Sequence, residues 1–320
     1  MMHVFHGLDG LQSLPRGGAL SIGNFDGVHV GHAAIVRRMR QLAGDEAPLS
    51  VVTFEPHPLT VLRPRNAPPR LTPAVLKRRA LQSLGVTHLL ELPPTPEVLN
   101  LSAEAFWRMI ESIVAPAHVV EGPNFFFGRN RGGNVEAIRA WSAGSGIGVH
   151  AIPPEQAALP DCSLVEVSST LVRFLVGHGR VRDAAACLGR PYTLVGTVVV
   201  GNRRGRTIGV PTANLECGPQ LVPTDGVYAA RATTADGKTH PAAVSIGTNP
   251  TFNDAGVRVE AHLLDFDGDL YGQTLEVELL DWVREQRKYF GVEPLLRQMR
   301  RDIDLVRQLA AHPPAAGAAC

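Results

Sequence analysis

Cysteine is scarce, with four in 320 residues at Cys162, Cys187, Cys217 and Cys320, and no two of them form a C-x-x-C pair. That excludes a zinc ribbon and a thioredoxin-type site, and a chain this long needs no disulfide framework. An excess of charge of one sign is also missing: Lys and Arg number 31 and Asp and Glu 30, a net charge of +1. A protein whose main partner is duplex nucleic acid needs a broad basic surface, so that class is excluded, whereas small anions need only a few local charges. Long apolar runs are lacking too. The stretch around Thr197–Val200 falls far short of the roughly 20 residues that span a bilayer. The opening MMHVFHGLDG lacks the basic and then apolar layout of a signal peptide. A soluble, cytoplasmic protein without a membrane partner is expected. The 25 prolines and 32 glycines follow no period, which excludes a fibre and implies many turns.

Hydrophobic residues make up 44% and charged residues 19%, enough to build a core rather than a disordered chain. At about 150 residues per domain, the length implies two domains. From Ala19 to about Gly179, short apolar runs alternate with helical stretches. Strands are expected at Ala19–Ile22, Ser50–Phe54, His88–Leu92 and His118–Val120. Helices are expected at Gly31–Leu42, Leu76–Leu84, Ala103–Ile113 and Val135–Trp141. This alternation predicts βαβ units and a parallel α/β sheet, with its ligand beyond the carboxyl ends of the strands.

Near Leu188–Pro191 the pattern changes. Strand-like runs at Tyr192–Val200, Gly226–Ala232, Ala242–Ile246, Val257–Leu264 and Leu275–Leu280 are separated by turn residues. They predict an antiparallel barrel or sandwich. One amphipathic helix, Pro294–Leu309, closes the domain with Leu295, Leu296, Met299, Ile303, Val306 and Leu309 on one side. The expected domains are 1–182 and 183–310, followed by a disordered Ala/Pro/Gly-rich tail, 311–320.

The segment from Ser21 to His32 follows a strand and opens a helix. Gly23, Gly27 and Gly31 let the backbone approach a bulky anion, and the helix start offers it unpaired N–H groups. His29 and His32 are three apart, so both rings can face one side and donate to a phosphate whose charge grows in the transition state. The second glycine of the dinucleotide fingerprint is missing, and no third zinc ligand is evident nearby. Further on, Asn124 offers both donor and acceptor atoms. Phe125 and Phe127 share a face of an extended segment and Phe126 points the other way, so one set can stack on a flat ring while the other packs inside. Ser168, Ser169 and Thr170 form an N-cap series for a helix Leu171–Val176, and a capped helix start is also a phosphate site.

In the second half, Gly201, Gly205 and Gly209, with Arg206 among several arginines, make a basic loop suited to phosphate. It is not a Walker A loop. Thr212 and Asn214 offer oxygen ligands of the kind that suit Mg²⁺ carrying ATP phosphates. In Val257–Leu263, Arg258, Glu260 and His262 share one face and Val257, Val259, Ala261 and Leu263 the other.

These segments carry a resemblance. Gly23-x-Phe25-Asp26-Gly27-x-His29-x-Gly31-His32 resembles the adenylyltransferase signature of the bacterial bifunctional riboflavin kinase/FMN adenylyltransferases, also called FAD synthetases. Thr53-Phe54-Glu55-Pro56-His57-Pro58, Asn124-Phe125-Phe126-Phe127-Gly128 and Ser168-Ser169-Thr170-Leu171-Val172-Arg173 are similar to later motifs of that family. So is Pro211-Thr212-Ala213-Asn214 in the second half. The resemblance runs from about Val4 to Leu309. It implies a Rossmann-like nucleotidyltransferase domain and a riboflavin kinase barrel, acting on riboflavin, FMN and ATP, with Mg²⁺ as cofactor and FMN and FAD as products. It implies that Gly23, Phe25, Asp26, Gly27, Gly31, Ser168, Ser169, Thr170 and Arg173 meet ATP in the first site, and Gly201, Gly205, Arg206 and Gly209 in the second. It places Asn124, Phe125, Phe127, Thr248 and Asn249 at flavin, Thr212 and Asn214 at the metal, and makes Glu260 the catalytic base, with His29 and His32 catalytic in the first half. The segments Asp225–Ala229, Gly247–Phe252 and Leu270–Gly272 also match the family and read mainly as architecture.

Two departures stand out: Lys288-Tyr289-Phe290-Gly291 lacks the family's acidic position, and Pro93-Pro94 stands where a phenylalanine is common. Two other functions fit parts of the pattern: an enzyme with one of the two activities, and a non-catalytic flavin sensor or store.

Overall fold

The computed structural model describes residues 1–201, 209–248 and 257–312. Gly205, Arg206 and Asn249 lie outside the described residues, as does the tail beyond His312. The chain forms two compact units, Met1–Gln156 and Ala157–Cys320. Their division falls earlier than the expected 182/183.

The first unit holds a parallel sheet of six strands, β1 (His3–His6), β2 (Ala19–Ile22), β3 (Leu49–Phe54), β4 (His88–Leu92), β5 (His118–Glu121) and β6 (Gly148–Ala151). Their order is β1-β4-β3-β2-β5-β6. Six helices connect them: α1 (Val30–Ala43), α2 (Leu59–Leu62), α3 (Ala74–Ser83), α4 (Pro96–Leu99), α5 (Ala103–Ile113) and α6 (Val135–Trp141). Strand order reverses between β2 and β5, which makes the gap between their ends the topological switch point, where α/β sheets bind ligands.

Every residue of β2 is buried, as a central strand covered on both faces requires. Helix α1 turns Ala34, Ile35, Val36 and Met39 inward. Helix α5 starts at Ser102, whose Oγ accepts the Ala105 N–H, and it buries Ala103, Phe106, Trp107 and Ile110. The expected strands and helices of this half are all present. Strands β1 and β6 were not expected, because both are short and only partly buried, so no apolar run marks them.

The second unit opens with a two-stranded sheet, β7 (Gln156–Ala158) and β8 (Leu164–Glu166), then helices α7 (Ser169–Gly177) and α8 (Val181–Leu188). A closed antiparallel barrel follows, from β9 (Tyr192–Val199), β10 (Ala213–Glu216), β11 (Gly226–Thr233), β12 (Thr239–Thr248), β13 (Val257–Leu263) and β14 (Thr274–Arg284). Its order is β10-β13-β12-β11-β14-β9, so the alternative of an open sandwich is excluded. Along β13, Val259, Ala261 and Leu263 are buried and Arg258, Glu260 and His262 are half-buried, as alternation requires. Val257, expected to share a face with these three apolar residues, is exposed at the strand's start.

Helix α9 (Val292–Ala311) packs on β11, β12 and β14 and is longer at both ends than expected. Ala311, expected in the tail, is its last residue. A buried ion pair fastens it to the barrel: Arg284 on β14 donates to both carboxylate oxygens of Asp302 at 2.7–3.1 Å, and Gln298 donates to the same group at 2.8 Å. Removing one partner of such a pair strands the other charge in a poorly solvated place. Asp302→Ala should therefore destabilise the second unit by about 3 kcal/mol, read as a lowered urea midpoint followed through tryptophan fluorescence with Trp107 and Trp141 replaced by phenylalanine, so that Trp282 alone reports.

Candidate functional site

In the first unit the candidate site sits at the carboxyl ends of β2 and β3. The turn from β2 into α1 is tight and strained: Phe25, Gly27 and Val28 have φ of 47°, 88° and 42°. Left-handed backbone is natural at Gly27 but costly at Phe25 and more so at β-branched Val28. Buried anchors hold the turn. Phe25 lies in the core. The buried Asp26 carboxylate accepts the Leu71 and Thr72 N–H groups at 3.1 Å. The Asn24 carbonyl accepts from Thr53 Oγ1 at 3.0 Å and from Lys77 Nζ at 3.4 Å. Asp26 thus acts as a strut of the turn.

His29 is the N-cap of α1, and the two histidines cap the helix reciprocally. His29 Nδ1 accepts the His32 N–H at 3.4 Å, and His32 Nδ1 accepts the His29 N–H at 3.3 Å. Their rings stack with centroids 3.7 Å apart. A neutral imidazole that accepts at Nδ1 carries its proton on Nε2, on the ring edge away from the capped backbone. The helix start and two such donors make a place for phosphate oxygens.

The second motif lies beside the first. Asn24 meets His57 Nε2 at 3.3 Å, and Glu55 pairs with the buried Lys77 at 3.0 Å and with Arg70. Neither Lys77 nor Arg70 was singled out from sequence; the only signal for Lys77 is a lysine at a core-facing helical position.

Across the switch point, Glu121 ends β5 fully buried. Its carboxyl accepts the Ile22 N–H at 2.7 Å and the Ser21 hydroxyl at 3.2 Å. Burial pushes this carboxyl well above the usual carboxylate range. It too was missed, although a glutamate directly after a buried Val-Val strand is an unusual neighbour.

Beyond β5, Asn124 is exposed. Phe125 and Phe127 stack at 5.2 Å, so they do share a face. Phe127 packs in the core beside Phe106 and Trp141. Phe125 is only partly buried against the same core, and Phe126 is exposed with the Arg131 guanidinium over its ring.

In the second unit Ser168 is the N-cap of α7, its Oγ accepting the Leu171 N–H at 3.2 Å; Ser169 and Thr170 form the first turn and Arg173 is half-buried one turn on.

The barrel site is set by register. Glu260 on β13 pairs with Asn214 on β10 and with Ser245 on β12, so the three stand in a row across the sheet. Gly201 lies against Asn214, and a Cβ there would fall 2.2 Å from its Nδ2. His262 Nδ1 donates to the Pro211 carbonyl at 2.7 Å and holds the segment carrying Thr212. Gly209 has φ of 78° at the end of the basic loop.

Two cavities meet at Thr212. One, of about 200 Å³, is lined by Ala261, Asp267, Leu270 and Tyr271. The other, of about 130 Å³, lies between the barrel and α9 and is lined by Ser245, His262, Gln286 and Met299. Gln286 donates to Ser245 Oγ at 2.7 Å. Thr248 is the last residue of β12. Among the described residues, no cluster of three or more His, Cys, Asp or Glu is placed to hold a metal.

The chain thus joins an α/β sheet with a reciprocally capped helix start to a closed barrel with two cavities that share Thr212. The chain matches the FAD synthetase family model over residues 11–170 and the riboflavin kinase model over residues 188–310. It is 35% identical over 287 residues to a bifunctional riboflavin kinase/FMN adenylyltransferase of Listeria monocytogenes, covering 88% of this chain and 89% of that one. It is also 35% identical over 315 residues to the enzyme of the same name from Pseudomonas fluorescens, covering 97% and 98%. A solved structure from Streptococcus pneumoniae, bearing the name macrolide-efflux protein, is 29% identical with a TM-score of 0.83 and covers 96% of this chain and 99% of its own. Efflux is a statement about that protein alone; among the described residues here no helix is long and apolar enough to cross a membrane. The chain belongs to the family of bifunctional riboflavin kinase/FMN adenylyltransferases.

The raised Glu121 carboxyl has a consequence for stability. The folded state keeps this proton to higher pH than the unfolded chain does, so between those two values it binds more protons and loses stability as pH rises. Glu121→Gln removes that window. The wild type's urea midpoint should fall relative to the variant's as pH climbs out of the ordinary glutamate range, and midpoints that run parallel would contradict it.

Proposed function

We propose that this chain makes FAD in two ATP-dependent steps, with the barrel phosphorylating riboflavin to FMN and the α/β sheet adenylylating FMN. The observation that carries the reading is the placement of the two signatures at phosphate-competent positions of two different units: one at the capped start of α1, the other where two cavities share Thr212.

In the first step the riboflavin 5′-hydroxyl attacks the γ-phosphorus of ATP and ADP leaves. Glu260 takes the hydroxyl proton as general base. Flavin occupies the cavity beneath α9, bordered by Gln286 and Ser245; Thr248 and Asn249 keep the flavin role that the motif resemblance gives them. The nucleotide occupies the other cavity, and Gly201, Gly205, Arg206 and Gly209 attend its phosphates. The two neutral oxygen donors of Thr212 and Asn214 fit Mg²⁺ arriving on ATP, since that ion prefers few protein ligands and several phosphate or water oxygens. When bound it supplies neutralising charge on the triphosphate.

In the second step an FMN phosphate oxygen attacks the α-phosphorus of a second ATP, and pyrophosphate leaves. The Nε2–H groups of His29 and His32 and the N–H groups of the α1 start stabilise the charge that develops. Gly23, Gly27 and Gly31 let the backbone come close, while Phe25 and Asp26 hold the turn. Asn124 and Phe125 meet the flavin, and Ser168, Ser169, Thr170 and Arg173 keep the phosphate role that the motif resemblance gives them. Balanced charge favours these small substrates over nucleic acid, and dependence on ATP favours the cytoplasm.

Purified full-length protein incubated with riboflavin, ATP and Mg²⁺, with products separated by chromatography, tests both halves. His32→Ala should slow FAD formation by about 10²–10³-fold and spare FMN formation. His29→Ser keeps an N-cap oxygen and should lose FAD formation nonetheless. Glu260→Ala should abolish FMN formation and still make FAD when FMN is supplied. A protein that makes only one product has a single activity, and one that binds flavin without consuming ATP is a sensor or store.

A further inference from the structure

Strand β2 is served unequally by its two neighbours. Its pairing with β3 runs the whole length, Ala19↔Leu49 through Ile22↔Val52. Its pairing with β5 covers only Ala19↔His118 and Leu20↔Val119 and then stops, two residues short of the turn. Beyond that point β5 continues beside β6, through Glu121↔Ala151. The Ile22 N–H therefore faces the widening switch point, where it has no strand partner, in a buried place where an unmet donor is costly. The Glu121 side chain reaches it at 2.7 Å and also takes the Ser21 hydroxyl.

We propose that Glu121 is a positioning residue for adenylyl transfer: its buried carboxyl replaces the missing strand partner at the end of β2 and thereby fixes where the strained turn to His29 and His32 begins. The idea rests on the adenylyltransferase reading of the first unit. It goes beyond that reading by assigning a role to a side chain outside its motifs. The argument is geometric. The strained turn has firm anchors along its course at Asp26 and the Asn24 carbonyl, and Gly23 N donates to the Val52 carbonyl at 2.9 Å on the β3 side. On the β5 side its entry is held by Glu121. Without it, the last residues of β2 are tied on one side only, and both imidazoles inherit the slack.

The test measures FAD formation from FMN and ATP by the full-length protein, as kcat and KM for each substrate. Riboflavin phosphorylation by the same preparations serves as the control. Glu121→Leu fills the space but accepts nothing, and kcat for adenylyl transfer should fall about a hundredfold, the cost of misplacing reacting groups by about 1 Å. KM for ATP should move far less, and phosphorylation should stay at the wild-type rate. Glu121→Gln keeps an oxygen for the Ile22 N–H and should restore kcat. Wild-type kcat in Glu121→Leu overturns the proposal, and so does a Glu121→Gln as slow as the leucine variant. If Glu121→Leu loses both activities through misfolding, Glu121→Asp decides: the same carboxyl one methylene short of Ile22 should lower kcat, and an unchanged kcat overturns the idea. A wild-type protein that forms no FAD at all refutes the adenylyltransferase reading itself, which is a different result.

Discussion

Between Gly23 and His29 the backbone is bent into a shape that ordinary residues resist, and the first site depends on keeping it there. Left-handed torsions at Phe25 and Val28 cost on the order of 1–3 kcal/mol each. The bend persists because its surroundings over-determine it: Asp26 holds two backbone N–H groups, Thr53 and Lys77 hold the Asn24 carbonyl, and the Phe25 ring is buried. These contacts come from β3, α3 and the segment before α3, so the turn is tied to much of the first unit rather than to its own neighbours. Its product is a helix start whose two histidines cap each other's backbone through Nδ1. Capping uses the Nδ1 edge of each ring and the catalysis we propose uses the Nε2 edge, so neither role excludes the other.

The barrel reaches a comparable precision without strain. Antiparallel register places Asn214, Glu260 and Ser245 side by side, and alternation sends all three away from the barrel interior. A one-residue slip would send Glu260 into the core, where an unpaired carboxylate is not tolerated. Register is thus enforced by the same burial of Val259, Ala261 and Leu263 that builds the barrel. The outer wall of the second cavity is then supplied by α9, whose position is fixed by the Arg284–Asp302 pair.

The sequence made the motifs and the long elements legible because each rests on local pattern. Strands β2 to β5 are apolar runs bounded by turn residues, and α1, α5 and α9 show helical spacing. What was not legible depends on partners distant in the chain. Strand β10 is four residues, half of them polar, and is a strand only because β9 and β13 flank it. Asp26 carries the look of a phosphate contact inside its motif, yet Leu71 and Thr72 claim its carboxylate. Phe127 and Phe125 could be placed on one face, but that Phe127 is buried beside Phe106 and Trp141 while Phe125 is only partly covered depends on residues distant in the chain. Glu121, Lys77 and Arg70 escaped for the same reason: their partners are set by sheet order, which spacing alone does not reveal.

The two sites differ in the groups they bring to phosphorus, and the difference follows from the nucleophile. A phosphate monoester has its second pKa near about 6, so the attacking oxygen of FMN arrives already ionised and needs no base. What that step requires is donors for the charge accumulating on the α-phosphate, and the α1 start offers N–H groups and two imidazole edges. The carboxylates nearby are engaged elsewhere: Asp26 with backbone, Glu55 with Lys77 and Arg70, Glu121 with β2. None needs to act as a base. A ribityl alcohol, by contrast, holds its proton at neutral pH and cannot attack well until something accepts it. The barrel accordingly presents a carboxylate, Glu260, in register with Asn214 and Ser245, which flank it. One chain can therefore act on the same triphosphate at its last phosphorus in one unit and its first in the other, because each fold supplies what its own nucleophile lacks.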